Sequence, residues 1–256
     1  MESGTPDDAG LSKRVADLKE RYLEGRGYWT DLFEKLAGRD ADFVEAYLNY
    51  SMMPSRRGAL EPKVREFIYV AVDIATTHLH WGARSHIQSA LKYGASIEEL
   101  LEVAELAVTS GFHTMSLGCR VLREELAARG SAVDATGDDD RHNIKDTFER
   151  ELGHLPAEYE AVLALAPQAV DEFRKLAGGP YRRKVLDAKT IEFIRLALDS
   201  STTQLHEAGA REHIRAALGF GASVSEILEV LEIASVLGIH GTLFGTSLIL
   251  EETESA

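Results

Sequence analysis

Residues 60–80, LEPKVREFIYVAVDIATTHLH, lie without a gap over residues 186–206, LDAKTIEFIRLALDSSTTQLH, at an offset of 126. After the histidine that ends each run the second copy carries one extra residue. From there ARSHIQSALKYGAS matches AREHIRAALGFGAS, and EELLEVAELAVTSGFHTMSLG matches SEILEVLEIASVLGIHGTLFG, at an offset of 127. Upstream, Pro54-Ser55-Arg56-Arg57 pairs with Pro180-Tyr181-Arg182-Arg183, and Gly27 with Gly153. A duplication of this extent constrains the fold before any local reading, because 256 residues must build two similar units on one plan. The joint is SAVDATGDDD, residues 131–140, small, polar and acidic as linkers are. Domains are therefore expected at 1–130 (an arm helix and the first repeat) and 141–256 (the second repeat).

Both copies read as helical throughout. Pro62 suits a helix start, where its missing N–H costs nothing. Val64 to Ile74 is apolar nearly all round, which predicts a buried central helix. A helix over about 83–93 should stop at Gly94, and Ser96/Glu99 and Ser223/Glu226 have capping-box spacing ahead of apolar runs of helical period. A last helix is expected over about 115–126. Leu11, Val15, Leu18 and Tyr22 form an apolar stripe on an N-terminal helix without an evident counterpart, read as an arm that clasps a neighbouring subunit. The fold class expected is all-α, in two tandem repeats.

Composition removes several functions. The net charge of −14 offers no basic patch to a phosphate backbone, so no nucleic-acid partner is expected. Cys119 is the single cysteine, which excludes an intrachain disulfide, a CxxC pair and a cysteine-rich zinc site. The polar, acidic N-terminus lacks a signal-peptide layout, and no apolar run reads as long enough to span a bilayer. A cytoplasmic protein without a membrane partner is expected.

Six of the nine histidines fall into repeat pairs: His80 with His206, His86 with His213, and His113 with His240. His78 pairs with Gln204. Two acids repeat as well, Glu66 with Glu192 and Asp73 with Asp199. Glu66, Asp73 and His80 are seven apart along one helix face, but at about 1.5 Å per residue each step is roughly 10 Å, too far to grip one small substrate. Asp73 is expected to bond Thr76 or Thr77 instead. His113 and His240 follow Gly111 and Gly238, where a helix break would aim the side chain into a cleft. The converging histidines suit general acid–base chemistry near neutral pH, a metal site, or helix capping in the core. Arg57 and Arg183 suit a two-point clamp on a substrate carboxylate.

These residues carry a resemblance. LEPKVREFIYVAVDIA, with HIQSALKYGASIEELLEVAELAVTSGF after it, resembles the core of the carboxymuconolactone decarboxylase family, and the second half matches as well, over roughly 28–126 and 154–250. The resemblance implies the family's all-helical fold and an obligate homo-oligomer, here a trimer of tandem chains rebuilding a ring of six repeats. In the alkylhydroperoxidase-like branch an acid matching Glu66 precedes a CxxC pair. The cysteine positions hold His78 and Trp81 in one repeat and Gln204 and Glu207 in the other, so thiol peroxidase activity is excluded. The decarboxylase branch has a histidine that His86 and His213 match. The loop before that histidine is longer here, by one residue and by two, and the branch's preceding glutamate pair is replaced by HWGARS and EAGARE.

The function expected is a cofactor-independent lyase of aromatic compound catabolism, acting on a small carboxylated lactone or ring-cleavage product. His86 and His213 would be its acid–base groups, aided by His80, His206, Glu66 and Glu192. His113, His240, Arg57 and Arg183 would bind substrate. The alternatives are a divalent-metal enzyme with His80, His86, His113, His206, His213 and His240 as candidate ligands, and a non-catalytic ligand-binding or assembly subunit.

Overall fold

The computed structural model describes residues 6–27, 29–131 and 138–254, and every regular element among them is helical. The first repeat runs α1 (Pro6–Arg26), α2 (Asp31–Ala37), α3 (Ala41–Ser51), α4 (Met53–Arg57), α5 (Pro62–Ala75), a π-helical turn (Leu79–Ala83), α6 (Arg84–Lys92), α7 (Ile97–Leu106) and α8 (Thr109–Ala128). The second answers it with α9 (Asp138–Leu152), a 3-10 turn (Ala157–Tyr159) leading into α10 (Glu160–Leu165), α11 (Pro167–Ala177), α12 (Gly179–Arg183), α13 (Ala188–Ser200), α14 (Glu207–Gly219), α15 (Val224–Leu237) and α16 (His240–Glu254). Of the expected linker 131–140, residues 132–137 lie outside the described residues, and Asp138 already opens α9.

Local chemistry explains the helix starts. Pro62 stands in the first turn of α5, and the Asp187 carboxylate accepts from the Thr190 N–H at the head of α13. Both capping boxes form: Ser96 with Glu99 and Ser223 with Glu226, each closing two bonds of 2.7–3.1 Å. Gly94 turns the chain after α6 at φ +84, a backbone region that costs glycine nothing.

Two expectations about the N-terminal helix fail. In α1, Val15 and Tyr22 pack into a cluster with Phe33, Leu36, Val44 and Tyr47, so its apolar stripe is already covered by the chain's own α2 and α3. It also has a counterpart, since Leu18 and Tyr22 fall on the buried Ile144 and Phe148 of α9 at the offset of 126. The rest of the two sequences had diverged too far to show the match.

The chain divides into two compact units that cut across the repeats. One is the central stretch from Leu60 to Leu237, and the other combines the chain ends, up to residue 59 and from 238 onward. In the central unit α5 and α13 pack against each other, α15 lies on α5 and α7 on α13. Phe67, Ile68, Phe193 and Ile194 are almost wholly buried there. Two fully buried carboxylates tie this core reciprocally. Glu229 of α15 accepts from the Leu60 N–H (3.1 Å) and Arg65 Nε (2.8 Å), while Glu102 of α7 accepts from the Leu186 N–H (2.9 Å) and faces Arg183 Nε (3.2 Å). Each caps the chain entering the other repeat's central helix.

Within each unit, the last helix of one repeat packs on the opening helices of the other. In the central unit α8 lays Phe112 and Cys119 against Phe148, Tyr159 and Phe173, with the Phe112 and Phe173 rings stacked at 4.0 Å. In the end unit Ile239 and Leu243 pack with Phe33, Val44 and Tyr47. The helix α8 begins at Thr109 and runs through Gly111, so the break expected before His113 is absent.

One stretch, Val224–Thr253, is long and apolar enough to cross a membrane by length and composition alone, which overturns the reading that no such run exists. It comprises α15 and most of α16. One side of α15 faces the core through Val230, Ile233, Ala234 and Val236, and Glu229 on it is ion-paired to Arg65.

Candidate active site

The second half of the central unit assembles a cluster of acids and histidines. Glu192, Arg195 and Asp199 share one face of α13 by helical spacing, and His206 and His213 come from the start and middle of α14. His213, buried at 4% exposure, spans the two acids. Its Nδ1 is 2.7 Å from Glu192 Oε2 and its Nε2 is 3.4 Å from Asp199 Oδ2. The roughly 10 Å helix step that argued against convergence is real, but an imidazole supplied by a neighbouring helix bridges it.

His113 completes the cluster from the other repeat. Its Nε2 is 2.8 Å from Asp199 Oδ1, and its ring lies 4.0 Å from that of His206. His206 Nδ1 sits 3.3 Å from the Gly209 N–H and 3.6 Å from Asp199 Oδ2, and its Nε2 is 3.4 Å from Glu158. Neutral, that Nδ1 accepts from Gly209; protonated, it turns its charge toward Asp199. Asp199 raises the His206 pKa, burial opposes the shift, and Glu158 and Glu212 add to it. Burial alone would push the Asp199 carboxyl upward, but the contacts from His113 and His206 and the potential of His213 hold it well below the usual carboxylate range. Gly209 permits the close approach: a Cβ there would fall 1.8 Å from Asp199 Oδ2 and 2.6 Å from His206 Nδ1.

The first repeat forms the same acid–histidine pair, with His86 Nδ1 2.6 Å from Glu66 Oε2. Tyr69 stacks on the His86 ring at 4.2 Å. Here the structure corrects the histidine register. His78 bonds Asp73 at 3.1 Å and neighbours Gly82, just as His206 meets Asp199 beside Gly209, whereas His80 is exposed on the π-helical turn. The structural counterpart of His206 is thus His78, because the second copy inserts two residues before its histidine and loses one after it. Among the described residues the Asp73 carboxylate bonds neither threonine; Thr76 Oγ1 donates to the Val72 carbonyl at 2.8 Å and, longer, to the Asp73 carbonyl at 3.5 Å.

Arg183 is exposed and engaged with Glu102 and Glu105, and Arg57 is exposed at the end of α4, so neither joins the cluster. His240 opens α16 in the end unit.

One site residue was missed from the sequence. Arg195 donates to the Tyr181 hydroxyl at 2.5 Å and lines a cavity with Tyr159, Tyr181, Phe173 and Glu212. Its signal was present: an arginine in the apolar run FIRLAL, where the first repeat has Tyr69. Burial opposes its charge, but Tyr181, Glu192, Tyr159 and Asp199 outweigh burial and raise its pKa. Burial likewise raises the Tyr159 and Tyr181 hydroxyl pKa values. For a cation, ligand atoms of His113, Asp199 and His206 lie within 4.8 Å of one another and are of types that suit a divalent transition metal.

The model of the carboxymuconolactone decarboxylase family matches residues 41–124 and 165–239. The chain is also similar to a crystal structure from Burkholderia xenovorans LB400, given the provisional description of a gamma-carboxymuconolactone decarboxylase subunit. The two are 37% identical with a TM-score of 0.86, over 94% of this chain and 98% of that one. Among curated proteins none matches.

Proposed function

The chain belongs to the carboxymuconolactone decarboxylase family, and on that premise we propose that it is a cofactor-independent carboxy-lyase acting on a small carboxylated lactone. The observation that carries this reading is the His213 imidazole held between Glu192 and Asp199, with His113 and His206 converging on the same aspartate. Glu192 fixes the ring through Nδ1, which leaves Nε2 to exchange a proton with a substrate atom. Its 3.4 Å contact with Asp199 is loose enough for that atom to take its place. In the reaction the bond to the carboxylate carbon breaks and CO2 departs. The electron pair passes into the lactone carbonyl, and the resulting dienolate takes a proton at carbon from an imidazolium. His113 and His206, anchored by Asp199, stabilise the oxyanion while it exists. The Glu66–His86 pair is the first repeat's equivalent.

The assay is the ultraviolet absorbance change of freshly generated 4-carboxymuconolactone with purified full-length protein. Turnover that His213→Ala and His86→Ala together abolish supports the reading. Turnover that survives both substitutions removes these histidines from the mechanism, and no turnover leaves a ligand-binding subunit.

A second reading rests on the His113–Asp199–His206 convergence, which suits a divalent metal. Metal content of tag-free protein, and activity before and after a chelator, separate the two: a stoichiometry near zero retires the metal. The homo-oligomer belongs to the same proposal, supported by the exposed Leu117, Val121 and Leu122 on α8.

A further inference from the structure

We propose that the cavity beside the second repeat's histidine cluster is a carboxylate receptor anchored by Arg195. The inference rests on the lyase reading for its setting and names how substrate would be held. Among the described residues the Arg195 side chain makes one hydrogen bond, to the Tyr181 hydroxyl, and its Nε is buried without a partner. The acids nearest on its own helix are otherwise engaged, Glu192 with His213 and Asp199 with His113. Glu212 lines the same cavity but forms no ion pair with the guanidinium. The guanidinium is half-buried and meets no carboxylate directly among the described residues, and it is the planar donor that fits a carboxylate in two-point geometry. Beyond the charged end the wall carries Phe148, Tyr159 and Phe173, with Thr109 and His154 beside them, which suits a small body of mixed polarity.

The receptor belongs to one repeat. At the matching positions the first repeat has Tyr69 for Arg195, Ser55 for Tyr181, Phe33 for Tyr159 and Ser85 for Glu212. The acid–histidine pairs were thus kept through the duplication, while the groups around this cavity were not. Arg195 also stands one helical turn, about 6 Å of rise, before Asp199.

The test is isothermal titration of the full chain with 2-furoate and with its uncharged isostere 2-furamide. The wild-type protein binds 2-furoate saturably and 2-furamide not at all. Arg195→Met weakens 2-furoate roughly 10- to 100-fold, the loss of a charge-assisted hydrogen bond, while Arg120→Met, at an exposed arginine paired with Glu124, leaves the affinity unchanged. Equal binding of acid and amide, binding of neither, or wild-type affinity in Arg195→Met overturns the proposal; the first two need no variant and so do not depend on its folding. Binding that depends on Arg195 without lactone turnover retires the lyase and leaves the receptor. Turnover without such binding retires the receptor alone.

Discussion

Gly209→Ala tests whether the site geometry is rigid, because two physical effects pull in opposite directions there. Within a helix, replacing glycine by alanine ordinarily stabilises by up to about 1 kcal/mol. At Gly209 the added Cβ would stand 1.8 Å from Asp199 Oδ2, so the carboxylate must retreat by about 1.2 Å merely to reach a 3.0 Å contact. That displacement breaks the 2.8 Å bond to His113 and disturbs the 3.4 Å contact to His213. Overpacking of this kind costs about 1–3 kcal/mol and a lost buried hydrogen bond about 1 more, so the variant should be less stable by about 1–3 kcal/mol net. If the cluster is catalytic, a misplacement of about 1 Å should also lower kcat on the order of 100-fold. Gly219 is the internal control: it closes the same helix, and a methyl added there would meet nothing within 4 Å, so Gly219→Ala should be neutral or stabilising. Urea denaturation of both variants reads the stability difference directly. A Gly209→Ala protein as stable as Gly219→Ala would refute the argument that the aspartate is pinned against this helix.

Three further outcomes follow from the same geometry. Glu229→Ala should cost about 3–5 kcal/mol in chemical denaturation, since it strands Arg65 and the Leu60 N–H beside the core; a loss below about 1 kcal/mol would mean the buried pair contributes no more than a surface one. The His206 pKa is raised in the folded state, so its contribution to stability is complete below the ordinary histidine value near 6.5 and is lost as pH rises through the folded value. Asp199, lowered by the same contact, contributes above the ordinary aspartate value near 3.8 and loses it as pH falls through its folded value. Asp199→Asn should therefore flatten the stability profile above pH 6.5 and return His206 toward its ordinary value by NMR titration; an unchanged His206 titration refutes the coupling. Finally, His113→Ala and His213→Ala should be strongly non-additive in turnover, because the two rings act on one aspartate, and additive effects would separate their roles.

The duplication, the all-helical class, the capping boxes and the buried central helices were legible because they depend on local period and on residue type at short spacing. So was the repetition of Glu66 with His86 and of Glu192 with His213, although nothing in the spacing told that each pair would touch. The pairing of His80 with His206 failed because insertions and deletions of one or two residues, invisible in an ungapped match, decide which imidazole reaches the aspartate. The bridge from Glu192 to Asp199 was missed because the distance argument considered one helix, and the ring that closes the gap comes from α14. Arg195 was legible as a charge within an apolar run, yet only the fold shows its Nε unpartnered against a cavity. The entry of His113 into the second repeat's cluster lay beyond sequence altogether. It follows from where α8 buries Phe112 and Cys119, and the aromatic surface that accepts them comes from Phe148, Tyr159 and Phe173. Local period fixes which face of a helix must be buried; only the tertiary structure decides which partner covers it, because apolar burial rewards area removed from water and is indifferent to which repeat supplies it.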